Sequence, residues 1–239
     1  MNDNLFTSMR DFVVIGKGGI SLASHRDLLC DHFKFFRAHR LRREPLEVPA
    51  MTEKIFDSLC LYSHSGHLTR FAVTPLISNT THTFRSHTDR ERFEERAQYL
   101  RDLYYAVELV DEKPLMNEVM DEIQDLQAAA YSFISPGTIQ EIYANTKRFS
   151  PLCLYALFSM KNETEKRMEQ GYRSPNDMVS FTYAFWAASN DYEFVCMKWA
   201  AEGRFDPTII GSRFGDHGCE FHEHDDPEEI GKCGLLISF

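Results

Sequence analysis

Asp11-Phe12-Val13-Val14-Ile15-Gly16-Lys17-Gly18-Gly19-Ile20-Ser21-Leu22-Ala23-Ser24-His25 is the stretch on which the reading of the fold turns. Phe12 to Ile15 is a short β-branched run that stops at a glycine-rich turn, and Ile20 to Ser24 then alternates apolar and polar residues. Two such runs around glycines predict a β-hairpin. The same glycines invite comparison with a phosphate-binding loop. A Walker loop, however, needs a second glycine followed by Lys and Ser/Thr at fixed spacing, and this sequence lacks it.

Working outward, Arg26-Asp27-Leu28-Leu29-Cys30 predicts a short helix, and Phe33, Phe35 and Phe36 form an apolar cluster suited to burial. Arg37, Arg40, Arg42 and Arg43 follow as a basic cluster ending at Pro45. Leu46-Glu47-Val48 alternates like a strand and is closed by Pro49. From Thr52, the apolar positions Ile55, Phe56, Leu59, Cys60 and Tyr62 share one helical face, and Gly66 ends that helix. Residues 72–97 turn polar and then strongly charged, and predict a long, exposed, mobile loop running into a charged helix start. Leu100, Leu103, Tyr104, Val107 and Val110 mark one helix; Pro114, Met116, Val119, Ile123 and Leu126 mark the next.

Beyond about residue 128 every periodic segment is helical. Helices are expected at 137–146, with Ile139, Ile142 and Tyr143, and at 152–160. Another should begin at Ser174-Pro175-Asn176-Asp177, with Met178, Phe181 and Phe185 as its stripe. A last one is capped by Asp191, carries Val195 and Trp199, and stops at Gly203. The expected class is α+β: a mixed domain with a short β-sheet flanked by helices, followed by an all-helical C-terminal region from 128 to 239.

This order, with these residues, resembles the BTB/POZ domain of the fungal type. That family has an Asp-x-x-Val strand, similar to Asp11-Phe12-Val13-Val14. Its second strand ends in an apolar residue, x and His before a short helix, which looks like Ala23-Ser24-His25 with Arg26 to Leu29. Cys30-Asp31-His32-Phe33-Lys34-Phe35-Phe36 resembles the family's Cys-x-x-Ser-x-Phe-Phe, with Phe33 in place of the usual Ser. Leu46-Glu47-Val48-Pro49 is similar to Val-x-Leu-Pro. Phe56 to Leu68 resembles Phe-x-x-x-x-x-Tyr-x-Tyr-Thr-Gly-x-Leu, with His64 and Ser65 replacing Tyr-Thr. The resemblance covers residues 10–127. It implies a protein-interaction domain that forms a homodimer or a heterodimer with another BTB chain. Some members of the family are substrate adaptors for cullin-type ubiquitin ligases, which makes a cullin an alternative partner.

Composition sets outer bounds. The 239 residues are 43% hydrophobic and 26% charged, with 26 Lys+Arg against 36 Asp+Glu and a net charge of −10. A chain this long buries roughly 70–75% of its unfolded surface, so its core needs no disulfide staples. Six cysteines are too few for a disulfide scaffold. The first residues lack a basic start followed by an apolar core, so no signal peptide is expected. No stretch approaches the roughly 18 apolar residues of a membrane span. These features point to the cytoplasm or nucleus and to no membrane partner. The acidic balance argues against nucleic acid, because phosphate contacts need a basic face.

One constellation carries chemistry. Asp216-His217-Gly218-Cys219-Glu220-Phe221-His222-Glu223-His224 is followed, after an acidic turn, by Cys233. Cys219, His222, His224 and Cys233 supply two thiolates and two imidazoles, the tetrahedral set of closed, structural zinc sites. Asp216 and His217 are reserve ligands. Similar Cys-x-x-His-x-His…Cys tails occur in the family just named. Between 216 and 233 the only large apolar residues are Phe221 and Ile230, so burial alone is not expected to order the tail. Bound zinc supplies on the order of 10–16 kcal/mol of apparent binding free energy. The competing reading is a solvated acidic tail with incidental His and Cys, and another metal or redox use is a third. This segment holds seven acidic residues and one Lys, −6 of the −10.

Catalysis is not expected. The sequence has no nucleophile elbow, HExxH helix, paired Cys-x-x-Cys motif or nucleotide loop. A zinc-dependent hydrolase is the alternative should one tail ligand be weak, because catalytic zinc keeps a position for water. Cys30, Cys60, Cys153 and Cys196 lie in apolar or helical runs and read as small core residues. His25 reads as a packing or hydrogen-bonding residue. The arginine cluster at 37–43 reads as a solvated loop, with an acidic partner or nucleic acid as the alternative.

Overall fold

The computed structural model describes residues 11–42, 44–48, 50–69, 84, 86–130, 134–159 and 221–225. It is a mixed α+β chain with a small three-stranded sheet and predominantly helical structure. Its contacts divide the chain into two compact units. One comprises Met1–Ala72 with Gln98–Val119, the other Val73–Ala97 with Met120–Phe239. This partition interleaves along the chain and so differs in kind from the span 10–127 assigned by resemblance. The helix starts read at Ser174 and Asp191 lie outside the described residues.

In the first unit, β1 (Asp11–Ile15) and β2 (Ser21–His25) form the expected antiparallel hairpin, with Val14 opposite Leu22. The glycines are spent on the turn itself. Gly18 and Gly19 adopt left-handed backbone, with φ of 72° and 78°. Gly16 donates to the Ile20 carbonyl at 2.8 Å, and Lys17 donates to the Met51 carbonyl at 2.7 Å. A Cβ at Gly16 would collide with that Met51 oxygen. The glycine run therefore serves close backbone approach within the fold.

The chain continues through α1 (Arg26–His32) and α2 (Lys34–Ala38), and β3 (Leu46–Glu47) then pairs parallel to β1, giving the order β2-β1-β3. A parallel return needs a crossover connection, which the two short helices provide. Val14, Leu22 and Leu46 are buried on the sheet, with Leu29, Cys30, Phe33 and Phe36 from the crossover. α3 (Glu53–Ser65) has both punctuation marks read from sequence. The Thr52 hydroxyl accepts the Ile55 N–H at 3.3 Å, and Gly66, at φ 73°, donates to the Tyr62 carbonyl at 2.7 Å.

α4 (His87–Val110) starts within the charged end of the 72–97 stretch, where a charged helix start was expected, and replaces loop with helix from residue 87 on. The cause is local. The Ser86 hydroxyl caps the helix by accepting the Asp89 N–H at 3.0 Å, and Arg90 and Glu94 pair at 2.8 Å one turn apart. Phe93 and Ala97 also extend the buried stripe back from Leu100. α5 (Lys113–Ala130) follows after Asp111, whose φ is 56°.

Within the first unit, Tyr99 on α4 shares a 2.5 Å hydrogen bond with Ser58 on α3. Glu118 on α5 accepts the Leu68 N–H at 2.6 Å, holding the segment that leaves α3. In the second unit, Arg96 donates to Glu122 at 2.9 Å. α6 (Pro136–Asn145) is capped by Ser135, whose hydroxyl accepts the Thr138 N–H at 3.1 Å, and residues 151–159 form the helix α7. Among the described residues no helix is long and apolar enough to cross a membrane.

Candidate metal centre

Of the four ligands read from sequence, His222 and His224 fall in the described segment 221–225, and Cys219 and Cys233 lie outside the described residues, as do Asp216 and His217. The segment is held from two sides within the second unit. Phe221 is buried, with its ring 5.2 Å from Tyr155 and 5.9 Å from Phe158, centroid to centroid. Tyr155 and Phe158 lie three residues apart on α7 and so share a face. Burial pushes the Tyr155 phenol upward. The expectation that this tail has too little apolar material to order itself is therefore corrected for 221–225. One aromatic side chain, placed between two others, is enough to seat it.

The neighbouring residue makes the second attachment. His222 Nε2 lies 3.0 Å from Asp121 Oδ1 on α5, with the two side chains only 6% and 19% exposed. The His224 ring centroid is 6.1 Å from that of His222. Two imidazoles on one tetrahedral zinc, with Zn–N near 2.0–2.1 Å, would place their centroids on the order of 5 Å apart, closer than these two rings stand. The donor types fit zinc. Among the described residues no group of three or more His, Cys, Asp or Glu is arranged to hold a metal ion, so the structure brings together two of the four named residues.

Sequence reasoning missed Asp121, Tyr155 and Phe158. Asp121 is 101 residues from its partner. No signal in the sequence separates it from any solvent-facing acid on an amphipathic helix.

No family model matches this chain, and neither a curated protein nor a solved structure gives a significant match. The remaining candidates must be judged on geometry alone. Cys30 and Cys153 are buried in helices, and burial pushes the thiols of Cys30 and the half-buried Cys60 upward, away from nucleophilic thiolate. Cys196 lies outside the described residues. His25 is exposed at the N-cap position of α1. Two of the four arginines in the cluster, Arg37 and Arg40, are engaged at home, and Arg43 lies outside the described residues. Arg37 donates to the carbonyls of Cys30 and Asp31, and Arg40 pairs with Asp27 at 3.0 Å. That leaves less charge for an external phosphate or acidic partner.

A polar cluster in the first unit has a measurable consequence. Burial, then the Glu112 and Glu118 carboxylates, push the Tyr62 phenol up to about 12. Glu112 itself is raised above the usual carboxylate value by burial, against the opposing charges of Lys34, His32 and Arg37 and with a smaller upward push from Asp111. The folded chain thus holds the Glu112 proton more tightly than the unfolded chain. The stability tied to that proton is fully present below the ordinary carboxylate range and is lost as pH rises through the raised value. Glu112→Gln should melt higher than the parent at pH 7 and converge with it near pH 4. A difference in melting temperature that does not change with pH would refute the assignment.

Proposed function

We propose that the chain is a protein-interaction protein of the BTB/POZ class that self-associates through its first unit, works in the cytoplasm or nucleus, and carries a structural, non-catalytic zinc in its tail. The observation that carries this reading is the element order. The resemblance expects strand, strand, helix, strand and helix, and the chain runs as a hairpin, a two-helix crossover, a parallel third strand and α3. Two departures from the family pattern are accommodated without disturbing that order. Phe33 is fully buried against Phe36 and Tyr62, whereas His64 and Ser65 are exposed at the end of α3.

Among the described residues, the large apolar side chains left exposed are Ile20, Leu41, Leu61 and Leu109, and all four belong to the first unit. These exposed apolar side chains are where contacts with a second copy are proposed. The proposed zinc would be structural, because the four protein ligands read from sequence leave no position for water.

Light scattering on protein purified without a metal-affinity tag tests both parts. The expected mass is twice the 27.8 kDa of one chain, with one equivalent of zinc by elemental analysis. A single-chain mass at every concentration would end the self-association reading. Zinc at buffer background would end the metal reading.

A further inference from the structure

We propose that self-association runs through the outer edge of β2, with two copies pairing β2 to β2 antiparallel across a two-fold axis; this rests on the self-association reading above. β2 is one edge of the sheet order β2-β1-β3. The direction of its backbone groups follows from the ladder. Gly16 donates to the Ile20 carbonyl, whereas the Ile15 carbonyl accepts from Val48 on the β3 side, so the pair Gly16–Ile20 is hydrogen-bonded and the pair Ile15–Ser21 is not. Alternation then aims the N–H and C=O groups of Ser21 and Ala23 away from β1. Both residues are exposed, and among the described residues no other strand pairs with them.

An open edge is a template for another strand, and folded chains guard such edges with charged side chains, proline or a bulge. Ser21-Leu22-Ala23-Ser24 has none of these. Its inward face is occupied within the fold, since Leu22 is buried and Ser24 bonds the Cys60 thiol on α3. What the edge offers is backbone, flanked by small side chains that let a second strand approach. A second copy is the occupant that fits. The chain carries a net charge of −10, so two copies repel at long range, and a stretch with no ionisable side chain is a seam where that repulsion is least. A strand paired antiparallel with itself is also self-complementary, as a two-fold interface requires. In the register that sets Ser21 of one copy opposite Ala23 of the other, Leu22 lies at the axis. Ile20, 49% exposed, then comes beside Ser24 of the second strand.

The test applies light scattering and amide hydrogen exchange to the full-length chain and to Ser21→Lys and Ala23→Pro. Lysine installs an edge guard, and proline removes an N–H that β1 does not use, so both leave the hairpin ladder intact. Far-UV circular dichroism checks that they do, and if Ala23→Pro disturbs the fold, Ser21→Lys and the exchange pattern decide. The parent should have twice the 27.8 kDa mass of one chain. Its Ser21 and Ala23 amides should be protected and lose protection on dilution, while the Leu22 amide, turned towards β1, keeps it. Both variants should show single-chain mass at concentrations where the parent is paired. Variants that stay paired, or a paired parent whose Ser21 and Ala23 amides exchange freely, would overturn the β2 edge and leave self-association standing. A parent of single-chain mass at every concentration would overturn the self-association reading and this inference with it, leaving the edge to an extended segment of another protein.

Discussion

Phe33→Ser is expected to lower the stability of the chain by about 3–5 kcal/mol, the range for truncating a buried phenylalanine, with a further cost for burying a hydroxyl. Phe33 has no solvent exposure. Its ring meets Phe36 edge-on at 5.8 Å and Tyr62 at 6.2 Å. Its backbone is extended between α1 and α2, donating to the Leu29 carbonyl and accepting from Arg37. The side chain therefore fills the space where the two crossover helices meet α3. Serine is the residue of the BTB/POZ pattern that this stretch resembles, so the substitution asks whether the larger side chain is structural here. Urea titration gives the answer: the midpoint should fall sharply with an unchanged slope. Phe33→Leu should lose much less. A loss below about 1 kcal/mol for Phe33→Ser would mean that the ring is not structural, because such small effects belong to surface positions.

The parts of the fold legible in sequence are those whose cause is local. Gly18 and Gly19 mark a turn because only glycine enters that backbone region freely, and Thr52 and Gly66 mark the ends of α3 because helix ends leave backbone groups that need partners. Where the cause is shared between distant residues, legibility drops. α2 is five residues long, and Phe-Lys-Phe-Phe reads equally as alternation or as a helical face; the fold resolves it as a helix with Phe36 buried. The start of α4 is legible only as a charged run, and its exact position is not. Its signals are a serine cap and charge pairs, which weigh little against a strongly polar composition until Phe93 and Ala97 find a surface to bury against.

The candidate site divides the same way. The spacing of Cys219, His222, His224 and Cys233, the residues proposed to hold zinc, is readable because it is local. The support of that loop is not. Asp121 and Glu122 are adjacent acids on α5, alike in sequence, yet one meets His222 and the other meets Arg96. Only the tertiary arrangement distinguishes them. Phe221 shows the complementary error: counting apolar residues undervalues a single aromatic that reaches two partners at once, since a ring of this size buries on the order of 150–250 Å².

Phe221→Ala is the second substitution with a large expected effect, and its signature separates local from global failure. Complete burial of a phenylalanine is worth about 3–5 kcal/mol in such truncations, but a short segment can detach before the whole unit unfolds, which caps the loss at its docking free energy. Release of 221–225 should therefore appear as new protease cleavage near Phe221, with the main unfolding transition shifted by less than the full amount. Tyr155 gives an independent reading. Its phenol is held upward by burial alone, and Phe221 is one of the rings that bury it. With Phe221 truncated, one late-ionising tyrosine should return towards the ordinary value near 10 in an alkaline absorbance titration, while Tyr62, raised by its own burial and by the Glu112 and Glu118 carboxylates, should stay. On the zinc reading proposed above, the same variant should also bind zinc more weakly, because His222 follows Phe221 directly. If protease resistance and tyrosine titration both remain as in the parent, Phe221 does not seat the tail.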